Sequence, residues 1–160
     1  MQQGPACGRH SFFRGCHPSV YSDEVEGSLS KLGDVVDVAA CQAVWASALT
    51  SAWPSPPTWF HGDLAVANLL TLDGRLSAVI DFGTCGIGDP ACDLVMAWTH
   101  FVGDERKVFR EAVGLPDDTW RRARGWALWK ALATVAGQPG PDPDGFQSRV
   151  LMHVLEDPVI

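Results

Sequence analysis

The 160 residues are 46% hydrophobic with a mean hydropathy of +0.02, enough to bury the core of one ordinary globular domain and too few for two. No apolar run approaches the roughly 20 residues of a membrane span, and the opening MQQGPACGRH lacks a signal peptide's apolar core, so no membrane partner is expected and a cytoplasmic location is the default. A net charge of −7 and a pI of about 5.0 leave no basic stripe to neutralise phosphates, which argues against nucleic acid as a partner.

Residues 1–18 read as an irregular N-terminal segment. Its Cys7, His10, Cys16 and His17 offer zinc-type ligands, but adjacent Cys16 and His17 are poorly spaced for a tetrahedral site, so a remnant or loosely ordered terminus is the preferred reading. Five cysteines, an odd number spread along the chain, do not make a disulfide framework, and free buried thiols are expected. From Val20 the chain becomes regular. Asp34 or Asp37 can cap a helix running to about Ser51, with Val38, Cys41, Val44 and Trp45 on one face. The proline-rich connector 53–57 stops that helix and feeds a β-type run at 58–60, which leads into a loop at His61, Gly62 and Asp63.

Two apolar runs, 68–72 and 76–80, flank Asp73-Gly74, the strongest short hairpin signal available. Such a hairpin folds the chain back on itself and brings Asp81 close to Asn68. The glycine-rich run 83–88 looks superficially like a phosphate cradle, but its spacing fits neither the dinucleotide nor the P-loop pattern, and a mobile metal loop explains it better. Asp89 is placed as the N-cap of a helix opening at Pro90. The run 90–102 is apolar almost all round and predicts a central buried helix. A shorter helix follows over 104–113, with Val108, Phe109 and Val113 inward and Gly114 as its stop. A long amphipathic helix is predicted from Asp117, Asp118 or Thr119 to about Val135, with Arg121, Arg122 and Lys130 on a solvated face. A loop over 137–145 and a last helix over 146–156 complete the chain.

Asp63, Asn68 and Asp81 together suit metal-assisted phosphoryl transfer. Magnesium takes oxygen ligands from one or two protein groups, which Asn68 and Asp81 can supply. Asp63, on the loop side, can accept the proton of an attacking hydroxyl or orient it, with His61 in support. A hydrolase's acid and base pair, Asp63 with Asp81, is the weaker alternative.

HGDLAVANLL followed by VIDFG resembles the catalytic loop and metal loop of the aminoglycoside phosphotransferase family, relatives of the protein kinases, and GDPACDL resembles that family's helix-start motif. The resemblance extends by pattern over roughly 18–157, and it departs from the family at Val66 and Ala67, where proline or glycine is usual. It implies an α+β, mainly helical fold, the C-terminal lobe of a kinase-like phosphotransferase over 19–160, with a small β-hairpin carrying the site and the N-terminal nucleotide lobe absent. It further implies Asp63 as catalytic aspartate, Asn68 and Asp81 as magnesium ligands at the ATP phosphates, His61 holding the loop, and Asp89 and Asp93 as structural. The implied activity transfers the γ-phosphoryl group of ATP to a hydroxyl of a small molecule, aminoglycoside-type antibiotics first among them. Acidic residues such as Asp104, Glu105, Asp142 and Asp144 could face a cationic substrate, though plain surface charge explains each. The alternative is a truncated, catalytically weak remnant acting as a binding module. A missing lobe would leave apolar surface uncovered, so self-association is also expected.

Overall fold

The computed structural model describes residues 4–137 and 142–157. Around one long helix, α5 (Asp117–Val135), pack α6 (Phe146–Glu156), α2 (Val38–Ala48), α1 (Ser22–Leu32) and a 3-10 segment, Pro90–Val95. Because neighbours lie on several sides, Trp120, Ala123, Trp126, Leu128, Ala131 and Leu132 are all buried, where an amphipathic helix would bury a single stripe. Helix α2 passes close enough that a Cβ at Gly125 would lie 2.4 Å from that of Ala48. Asp37 caps α2 by accepting the Ala40 N–H at 2.9 Å, one of the two caps open to the sequence.

Arg122 departs from its expected solvated face. Arg121 pairs with Asp118 near the surface and Lys130 is exposed, but Arg122 is fully buried. Its Nε donates to Asp89 Oδ2 at 2.6 Å, and its Nη1 donates to Ser51 Oγ at 2.7 Å and the Asp118 carbonyl at 3.0 Å. Asp89 also accepts the Ala91 N–H at 3.0 Å, so the expected N-cap is present and carries an ion pair that spacing alone does not reveal. Helical periodicity cannot see a partner on a distant segment.

The single buried helix expected over 90–102 is instead the 3-10 segment Pro90–Val95 followed by one α-turn, α3 (Met96–Thr99). An all-apolar run does not distinguish three residues per turn from 3.6. Helix α4 (Asp104–Val113) ends at Gly114 in the left-handed conformation, as predicted. Phe109 packs on Phe101 and Trp120, with ring centroids 4.7 and 5.8 Å away, whereas Val108 is 63% exposed and not inward. Of the loop expected over 137–145, residues 138–141 lie outside the described residues. Asp142 accepts the Gln147 and Ser148 N–H groups at 3.1 and 2.9 Å, which caps α6.

Two small antiparallel sheets complete the fold. Strands β2 (Leu69–Leu72) and β3 (Arg75–Val79) form the expected hairpin, with Asp73 and Gly74 both at positive φ, 50° and 73°, as a type I′ turn requires. Strand β1 (Thr58–Phe60) pairs with β4 (Gly86–Gly88), so the end of the run expected to be a mobile loop is a strand. The N-terminal segment lies on this sheet: Cys7 N–H donates to the Ile87 carbonyl at 3.0 Å, and Ile87 N–H donates to that of Pro5 at 2.9 Å. Cys7 and Cys16 are disulfide-bonded across a Cα separation of 5.6 Å, contrary to the free thiols expected of them. Cysteine count carries no information on which α-carbons a turn brings within bonding range. With both sulfurs bonded, the zinc reading of this segment has no thiolate left. His10 bonds the Cys85 carbonyl, and His17 accepts the Ser19 N–H.

Candidate active site

The hairpin determines where Asn68 and Asp81 stand. Ile80 N–H donates to the Asn68 carbonyl at 2.9 Å, so Asp81 directly follows the residue bonded to Asn68. Asp81 occupies the left-handed region, φ 63°, tolerated by short acidic side chains. It is exposed, and no protein group bonds its carboxylate among the described residues. Asn68 Nδ2 donates to the Asp63 carbonyl at 2.9 Å, which ties the two loops together and leaves Oδ1 as an open acceptor.

The loop carrying Asp63 is locked from below. Asp93, in the 3-10 segment, accepts the N–H of His61 at 2.6 Å and that of Gly62 at 2.8 Å, one on each carboxylate oxygen. Buried His61 donates Nε2–H to the Ile80 carbonyl at 2.8 Å and accepts the Asp63 N–H on Nδ1 at 3.2 Å, the tautomer that satisfies both partners. Thr84 Oγ1 donates to the His61 carbonyl at 3.1 Å. Gly62 has φ 87°, and a Cβ there would lie 2.6 Å from the Thr84 carbonyl oxygen, so glycine is required on both counts. Burial pushes the Asp93 carboxyl above its ordinary range, opposed by the two backbone donors.

Above this floor opens a cavity of about 440 Å³, within the range of small-molecule sites. Asp63 lines it, with the 64–67 turn on one side and Trp126, Trp129 and Lys130 of α5 on another. Arg14 closes a further side, its guanidinium 4.6 Å from the Trp129 ring centroid and 5.5 Å from that of Trp126. Enclosure pushes the Lys130 ammonium pKa down, and so does the charge of Arg14, while the Asp63 carboxylate opposes them.

The structure thus places His61, Asp63, Asn68 and Asp81 on two adjoining loops, with Asp63 alone of the four facing the cavity together with charged groups of other elements. None of Asp104, Glu105, Asp142 and Asp144 lines that cavity. Arg14, Trp126 and Trp129 escaped the sequence reading. Arg14 sits in a segment without periodicity, and the two tryptophans look like any core aromatics on a buried helix. Only the spacing of Trp126, Trp129 and Lys130, which puts all three on one helix face, carried a signal.

The site thus sets an acidic residue on a histidine-braced loop, an asparagine beyond it and an aspartate closing a hairpin. The profile of the phosphotransferase enzyme family matches residues 2–126, including the N-terminal segment, and the chain belongs to that family. Neither curated proteins nor solved structures gave a match.

Proposed function

We propose that the chain transfers the γ-phosphoryl group of ATP to a hydroxyl of a small molecule bound in the cavity beside Asp63. The observation that carries this reading is the locked loop: Asp93 and His61 hold the backbone on either side of Asp63 while its side chain opens on the cavity. Asp63 takes the proton of the attacking hydroxyl as its oxygen bonds to the γ-phosphorus and the bond to the β-phosphate oxygen breaks, releasing ADP. Asn68 Oδ1 and the Asp81 carboxylate are hard oxygen donors without protein partners among the described residues, a set that fits Mg²⁺. Such an ion neutralises phosphate charge when bound.

The test is ADP release from Mg·ATP by the purified chain with a panel of hydroxylated acceptors, aminoglycosides and macrolides included, beside Asp63→Asn. Acceptor-dependent turnover that falls about 10²–10⁴-fold in Asp63→Asn is expected. Turnover that survives the substitution refutes the role of Asp63. No turnover above the variant's favours the second reading, a catalytically weak binding module. That reading draws support from the hairpin, where Leu70, Leu72, Leu76 and Ile80 are exposed beside Phe82. Such a face suits a covering partner, either another lobe or a second copy of the chain.

A further inference from the structure

Among the described residues no carboxylate lies within ion-pairing distance of Arg14 or Lys130, although both line the same mainly apolar cavity, with Trp126 and Trp129 beside them. Against these two cations the lining sets a single carboxylate, Asp63, and an imidazole, His100. Arg14 is half-buried. It lies over the rings of Trp126 and Trp129, and Tyr21, stacked on Trp129 at 4.0 Å, backs that platform. Lys130 is exposed and Arg14 half-buried, so both keep access to solvent, and two cations lining one cavity without a paired carboxylate favour a ligand anion between them. A polycation meets the opposite situation, like charges on two sides of the space it must enter.

We infer that the acceptor is a compact hydroxy acid, whose carboxylate sits between Arg14 and Lys130 and whose apolar part lies against Trp126 and Trp129. This rests on the reading that Asp63 faces the reacting hydroxyl, since one cavity must then hold both ends of the molecule. The sites are complementary in sign: Asp63 receives a hydroxyl proton, and the cations fix the other end so that only one hydroxyl reaches Asp63. Arg14 and Lys130 are binding residues in this arrangement and take no part in the chemistry.

Binding is measured without ATP, by quenching of tryptophan fluorescence in the 160-residue chain. The probes are 3-phenyllactate, its uncharged methyl ester and the polycation kanamycin. Saturable binding of the acid is expected, at least about tenfold tighter than that of the ester, with kanamycin weaker than either. Lys130→Gln, at an exposed position that leaves the fold intact, loses about tenfold for the acid and little for the ester. Arg14→Gln behaves likewise, and its circular dichroism and melting curve show whether the N-terminal segment stays in place. Asp63→Asn retains or tightens binding of the acid, because it removes the one carboxylate among the described lining residues. The inference is overturned if the acid shows no saturable binding, if the ester matches it, if kanamycin binds more tightly, or if Lys130→Gln leaves the acid's affinity unchanged. This assay reads binding alone, so the two readings fail separately: loss of charge-selective binding overturns this inference, whereas absence of acceptor-dependent ADP release overturns the catalytic reading and leaves the acid as a ligand of the cavity rather than an acceptor.

Discussion

Asp93 illustrates how one side chain positions a residue to which it makes no bond. Its two oxygens accept consecutive backbone N–H groups, which orients the peptide that carries Asp63. Because burial raises its pKa, the folded chain binds the proton more readily than the unfolded one. The protonated form therefore contributes stability that is lost as pH rises through the folded pKa, a loss that the two hydrogen bonds reduce without cancelling. In the free thiols Cys41 and Cys92 burial is the largest cause of the shift. Burial, with Asp37 nearby, pushes Cys41 up to about 11, burial pushes Cys92 well up, and Cys85 is only partly covered. Iodoacetamide at pH 8 is accordingly expected to modify Cys85 first in the native, oxidised chain, read by peptide mass mapping. Modification of Cys41 or Cys92 ahead of it would contradict the burial described.

At the scale of elements, the junction of α5 with the Pro90–Val95 segment depends on Arg122 and Asp89. Their side chains are 0% and 5% exposed, so removing one leaves the other charged in a medium that cannot solvate it. Arg122→Met is expected to destabilise the fold by about 3–5 kcal/mol in urea unfolding. Pairing it with Asp89→Asn should recover part of that loss, because the orphaned charge goes as well. If the single and double variants unfold at the same urea concentration, the pair is not the source of the cost. The same junction carries Asp93 through the 3-10 winding, so a fault in the core there is transmitted to the loop below Asp63.

For the whole molecule, the N-terminal segment and the hairpin matter most. The Cys7–Cys16 bond closes a short loop that contains Arg14, so its reduction should lower stability by about 2–3 kcal/mol and weaken whatever Arg14 binds. Melting with and without a reductant, beside a Cys7→Ser, Cys16→Ser double variant, measures this. Equal melting in all three would show that β4 alone holds the segment. On the hairpin, Leu72 and Leu76 are 67% and 61% exposed, and we expect concentration-dependent association through the hairpin. In sedimentation velocity Leu72→Lys with Leu76→Lys should shift the chain toward monomer, whereas a wild-type chain that is monomeric at every concentration removes the idea.

What the sequence by itself determined is what short-range chemistry can specify. Asp-Gly between two apolar runs demands a type I′ hairpin, Asp89 before Pro90 demands a cap, and the hairpin brings Asn68 and Asp81 together, because each signal acts over a few residues. Whether Arg122 meets water or Asp89, whether Cys7 finds Cys16, and whether Arg14 lies over Trp129 were decided only in the tertiary structure. These partners belong to separate turns and segments with no periodicity linking them. Their pairing follows from the packing of the chain around α5, which among the described residues gives Arg122 Asp89 for counter-charge and Arg14 an aromatic wall to lie on.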